Sequence, residues 1–139
     1  MEYKRFVGTI ILRLDPGDEI CESLIELAAR ENIDLAEISG LGAVDVFTVG
    51  VFDTANKTYL SKQYTGPFEI SSLVGTLTRQ DGKPYLHVHM SAGNADGIVR
   101  GGHLNSARVS ATAEIVVRVV DGKAGRKFSE SIGLNLLNF

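Results

Sequence analysis

Three side chains of this sequence have the type and spacing for metal chemistry. They are His87, His89 and His103, the only histidines of the chain, and all lie between Tyr85 and Leu104. Leu86, Val88 and Met90 alternate with His87, His89 and Ser91, the period of a strand with one apolar and one polar face. In such a strand His87 and His89 point the same way. Gly101-Gly102 precede His103, and paired glycines allow the close backbone approach that would bring a third imidazole back to the first two. Three neutral imidazoles on one centre leave a coordination position open, as in catalytic rather than structural zinc sites. Zinc is the first expectation for an all-imidazole set; nickel or copper would also suit it. The plainer reading is a polar cluster at a sheet mouth or subunit axis, its rings hydrogen-bonded to backbone carbonyls.

Two further residues are candidates for assisting such a centre. Glu114 shares its strand parity with Ser110, Thr112 and Arg118, and reads either as an acid–base group or acceptor for a histidine N–H, or as the ion-pair partner of Arg118. Arg100 reads either as a bidentate holder of an anionic ligand or as an intersubunit salt bridge. Glu69 divides in the same way. Asp81 and Asp96 are turn residues. The single cysteine, Cys21, falls on the flank of a helical stripe and reads as a small core residue.

The elements that must position these residues follow from periodicity. Tyr3 to Leu14 reads as one half-buried strand. Asp15-Pro-Gly-Asp18 breaks it and offers a helix-capping carboxylate. From Glu19 to Asn32 the period changes: Ile20, Leu24, Leu27 and Ala28 form one helical stripe. Ile33–Ser39, Val44–Phe52, Thr58–Thr65 and Phe68–Thr78 read as strands, with Gly40-Leu-Gly42 a bend or bulge rather than a phosphate loop. Asp81-Gly82 is a hairpin turn that pairs the histidine strand with Phe68–Thr78. Asn94 to Gly97 is another turn, followed by Ile98–Leu104. Val109–Val120 is the longest strand, and its small residues Ser110, Ala111 and Ala113 leave room for something large. The apolar tail with Leu134, Leu136, Leu137 and Phe139 should be tied down on the domain or in a subunit contact. The sum is an α+β fold: a single compact domain over residues 1–139, with a curved, mostly antiparallel sheet of six to eight strands and one main helix.

Composition bounds the function. With 139 residues, 44% of them hydrophobic, the chain can bury a core without staples. A net charge of −3 argues against a large nucleic-acid surface, and the basic residues are scattered. One cysteine excludes an intrachain disulfide and favours a reducing compartment. No stretch has the length or apolarity of a signal or membrane segment, so a cytoplasmic location is expected.

Six short motifs in order carry a family resemblance: Leu14-Asp-Pro-Gly-Asp-Glu, Ile38-Ser-Gly-Leu-Gly-Ala43, Gly66-Pro-Phe-Glu-Ile70, Leu86-His-Val-His89, Gly101-Gly-His-Leu104 and Ala111-Thr-Ala-Glu-Ile115. Together they resemble the plants and prokaryotes conserved domain, over about Tyr3 to Leu137. The resemblance implies a homotrimer, and a DNA-binding label carried by stand-alone bacterial and archaeal members. Plant relatives contact DNA through an Arg-Gly-Arg-Pro segment, which this sequence lacks, and have an arginine where Pro67 stands. The fold is also similar to that of acetolactate decarboxylase, whose zinc is held by a His-x-His pair and a later histidine. By that resemblance His87, His89 and His103 are the metal ligands. Two functions follow: a regulatory or ligand-binding module with a histidine-lined pocket, or a zinc enzyme acting on a small oxo-acid.

Overall fold

The computed structural model describes residues 1–139. Its first elements follow from period-two burial. β1 (Glu2–Phe6) turns at Val7-Gly8 into β2 (Thr9–Leu14), where Ile10, Leu12 and Leu14 are fully buried and Ile11 and Arg13 face out. The single first strand expected over Tyr3–Leu14 is therefore a hairpin. The turn places Val7 at φ 53°, a conformation a β-branched residue rarely adopts, so nothing in the residue types marked it.

Helix α1 (Ile20–Arg30) buries Ile20, Leu24, Leu27 and Ala28 against two strands of the sheet, Lys83–Gly93 and Val99–Val119. Full burial of leucines such as Leu24 and Leu27 stabilises the fold by about 1.5–3 kcal/mol each. The capping carboxylate is Glu19, not Asp15 or Asp18. One Glu19 oxygen accepts from Glu22 N at 2.7 Å and the other from Ala107 N at 2.6 Å, so the cap also ties the helix to the sheet. Asp18 instead accepts from Asp15 N and pairs with the terminal amine. Burial of Cys21 pushes its thiol up to about 12, with Glu19 and Glu22 adding to the shift, as befits a packing residue rather than a nucleophile.

Four long strands complete the domain: β3 (Ala36–Asp53), β4 (Thr58–Gln80), β5 (Lys83–Gly93) and β6 (Val99–Val119). Each of β3, β4 and β6 runs through what residue types mark as a break. Gly40-Leu-Gly42 is a register shift inside β3, as expected. Gly66-Pro67 lies in a shift of β4, between the pairs Val44↔Phe68 and Val46↔Thr65. A proline has no N–H for the ladder, and a bulge is where a strand tolerates one. The β4–β5 hairpin turns at Asp81 (φ 51°) and Gly82 (φ 77°), the two positive φ values of a type I′ turn.

The sheet order is β1-β2-β6-β3-β4-β5, antiparallel throughout, and β5 also pairs with β6. Strands β3, β4, β5 and β6 therefore close into a ring, with α1 against its β5–β6 wall. Inside lies one continuous core that includes Phe47, Leu73, Val88, Met90 and Ile115. The tail forms a separate hairpin, β7 (Gly125–Ser129) and β8 (Leu134–Asn138). Ala124 O accepts from Arg79 N at its base, and Glu130 O accepts from Lys57 Nζ at its tip. Backbone and polar contacts thus tie the tail down, while Phe128, Leu137 and Phe139 stay exposed. No helix is long and apolar enough to cross a membrane.

Candidate metal centre

The three histidines meet where the ring closes. β5 and β6 pair over only five positions, from Gly93↔Val99 to His89↔His103. Beyond His89 the earlier part of β5 pairs with β4 alone, and His87 lies opposite Thr76. Val88 and Met90, which alternate with the histidines, are buried, so His87 and His89 share the outer face, as the alternation predicts. His103 joins them as the directly opposed residue of β6.

Glycines make the approach possible. A Cβ at Gly102 would lie 2.6 Å from Gly50 O, and one at Gly101 would lie 2.8 Å from Met90 O. Both glycines are thus required by backbone on either side, which is the close approach that the Gly-Gly pair predicts. Gly50, opposite His103, is itself covered by the Tyr59 ring, at 2.4 Å from a built Cβ. The same Tyr59 ring stands edge-on to His103 at 6.1 Å, with its hydroxyl bonded to Asn105 Oδ1 at 2.7 Å. His103 therefore has a fixed wall behind it.

The ring centroids are 5.3 Å apart for His87–His89, 5.2 Å for His87–His103 and 5.6 Å for His89–His103. One nitrogen from each ring lies within 4.8 Å of the others. Tetrahedral ligands at zinc–nitrogen distances of about 2.0–2.1 Å stand roughly 3.3 Å apart, so small ring rotations complete the geometry. None of the three rings is hydrogen-bonded to a backbone carbonyl, which removes the plainer reading in that form; the bond at His103 is from Tyr59 to its main-chain oxygen. Partial burial lowers the His87 value below that of a free imidazole, and His103, His89 and Arg126 lower it further. His103 is lowered by burial and then by His89. Both shifts favour the neutral ring, the form that binds metal. The donor set fits a divalent transition ion.

The other candidates are elsewhere. The Arg100 guanidinium stacks over Tyr64 at 5.9 Å, on the opposite face of the β5–β6 pair from His89 and His103. Glu114 is roughly 30 Å further along β6, opposite Leu41 and Arg13. Its expected partner Arg118 pairs with Glu37 at 2.9 Å instead. Glu69 lines an open groove of about 580 Å³ with Pro67, Phe68, Gly93, Ser110 and Ala111. The small residues of β6 do leave space there, but no histidine borders it.

The model of the Plants and Prokaryotes Conserved domain matches residues 1–121. The chain belongs to this family. Among solved structures, a putative DNA binding protein from Bacteroides thetaiotaomicron is 29% identical, with a TM-score of 0.96 over 99% of this chain and 96% of that one. A metal-containing protein from Archaeoglobus fulgidus is 36% identical, with a TM-score of 0.88 over 100% and 99%. A plant- and prokaryote-conserved protein from Pyrococcus horikoshii is 32% identical, with a TM-score of 0.86 over 99% and 94%. The α-acetolactate decarboxylase of Bacillus subtilis shares the fold at a TM-score of 0.60 and 13% identity, over 91% of this chain and 58% of that one. No curated protein matches the sequence significantly.

Two site neighbours escaped the reading of the sequence. Tyr59 comes from β4 and reaches His103 across Gly50, a contact with no local signature. Arg126 comes from the terminal hairpin. Its Nε donates to Thr78 Oγ1 at 3.0 Å, one Nη to Thr76 Oγ1 at 3.3 Å and the other to Asn135 O at 3.4 Å. The guanidinium lies over Tyr85 at 4.8 Å, two residues before His87 on the same face of β5. Its basic character alone does not distinguish it from the chain's other arginines.

Proposed function

We propose that this protein is a metal-dependent ligand-binding module of the plants and prokaryotes conserved domain family, working as a homotrimer. His87, His89 and His103 hold a divalent transition ion, with zinc the first choice. The observation that carries this reading is the meeting of three unpaired imidazole nitrogens within 4.8 Å at the closure of the sheet. The Archaeoglobus fulgidus relative, described as metal-containing, adds support. When bound, the ion supplies a Lewis-acidic position open to one exogenous ligand. Partial burial favours the neutral rings of His87 and His103, Tyr59 stands behind His103, and the outer face of the site is left to solvent. Trimer formation rests on the family resemblance and on the apolar side chains left uncovered on one protomer, among them Val51, Leu60 and Leu137.

Catalysis on a small oxo-acid, the alternative, is favoured by the open position. It is weakened by the placement of Glu114 and Arg100 away from the histidines. DNA binding is named for two of the structural relatives. It has less support here, because net charge is −3 and Arg5, Arg13, Arg30, Arg79, Arg108 and Arg118 are each paired with a carboxylate. Elemental analysis of protein purified without chelator tests the metal reading: about one transition ion per chain is expected, and none after His87 and His89 are both replaced by alanine. Metal-free protein that takes up no zinc, nickel or copper would refute it. A duplex-DNA shift assay across salt concentrations tests the other role; a steep salt-dependent affinity would restore it.

A further inference from the structure

The terminal hairpin does more than anchor a tail. The family match ends at residue 121, and β7 and β8 begin after it. The hairpin runs beside the histidine face and is fastened at both ends. At its base Arg126 binds Thr76 and Thr78, and Thr76 is the cross-strand partner of His87. At its tip Glu130 O holds Lys57, and Gly133 packs against Phe52 and Lys57. Lys57 lies two residues before Tyr59, the wall behind His103.

The electrostatics of this face are one-sided. Arg126 is the one permanent cation that acts on His87, and no carboxylate acts on it. No salt bridge engages Arg126 or any of the three histidines. A divalent ion on three neutral imidazoles keeps its full charge, and Arg126 adds another. Of the five guanidinium N–H groups, three are used by Thr78, Thr76 and Asn135. One remains on each terminal nitrogen. Arg126 stacks on Tyr85, and Tyr85 and His87 are alternate residues of one strand face, roughly 7 Å apart. The guanidinium and the three imidazoles therefore share one face, with Arg126 beside the His87 end of the cluster.

We propose that the hairpin makes the centre selective for anions: a small carboxylate or similar oxyanion fills the open coordination position, and Arg126 meets its outer charge. This rests on the metal reading above. The test uses the full chain loaded with cobalt(II), whose visible spectrum reports the coordination sphere, with acetate as the anionic probe and imidazole as the neutral one. Acetate should shift the wild-type spectrum saturably. Arg126→Gln should weaken acetate about tenfold or more and leave imidazole affinity and cobalt stoichiometry unchanged. Arg126→Lys, which keeps the charge, should fall between. Thr76→Val with Thr78→Val leaves Arg126 in place but removes two of its anchors, and should also weaken acetate selectively. Equal weakening of both probes would make Arg126 merely structural and overturn the proposal. A cobalt-loaded chain indifferent to acetate would overturn this proposal alone, and a chain that takes up no cobalt would overturn the metal reading with it.

Discussion

Replacing His89 with alanine separates the site from the fold. His89 is exposed, and its ring covers none of the core. Exposed substitutions of this kind change stability by less than about 0.5 kcal/mol, so the metal-free variant should melt with metal-free wild type. Metal affinity should respond very differently. Four-ligand structural zinc sites have apparent binding free energies of about 10–16 kcal/mol, or roughly 3 kcal/mol per ligand if shared evenly. Loss of one imidazole from this three-nitrogen set should therefore weaken zinc by two orders of magnitude or more. The assay is competition against a chromophoric chelator, paired with thermal melts with and without zinc. Zinc should raise the wild-type melting temperature and leave that of His89→Ala nearly unchanged, since a ligand that binds only the native state stabilises it through mass action. Equal affinity in the two proteins would refute the convergence of the rings on one ion. A large loss of metal-free stability would refute the claim that this face is separable from the core.

Gly102→Ala should destabilise the protein by about 1–3 kcal/mol in denaturant melts and weaken metal binding with it, because the new Cβ meets Gly50 O at 2.6 Å. Acid should destabilise the metal-free protein. His87 and His103 have native values below the unfolded one, so from about pH 6.5 downward the unfolded chain binds more protons and stability falls, whereas above that pH these two residues contribute no slope. Melting temperature against pH checks this, and replacing both residues with asparagine should flatten the profile. Cys21 should resist a thiol reagent at pH 8, where a value of about 12 leaves roughly one thiolate in ten thousand, and react promptly in denaturant.

Local physics made much of this molecule legible. The helix stripe from Ile20 to Ala28, the Asp81-Gly82 turn and the alternation around His87 and His89 each act within a few residues. The Gly101-Gly102 pair signalled crowding, and the crowding is there. Other features depend on partners remote in sequence. Gly66-Pro67 resembles a break because a proline cannot join a ladder, yet β4 absorbs it as a bulge. The β1–β2 turn uses a valine in a glycine-like conformation and so leaves no mark. Glu114 sits on a strand face of the right parity, but parity says nothing of how far along β6 it lies from His103. Arg126 arrives from a hairpin whose docking is settled by tertiary contacts alone.

The five-pair junction between β5 and β6 has a mechanical meaning. A short run of hydrogen bonds, backed by glycines that bury no side chain, is a natural place for the cylinder to breathe. His89 and His103 stand on opposite sides of its last rung, so an ion gripped by both acts as a rivet across the one gap that must part for the wall to unzip. Amide exchange in these two strands should slow on metal loading more than exchange in the β2–β6 ladder, so occupancy of the centre would set how rigidly the cylinder is shut.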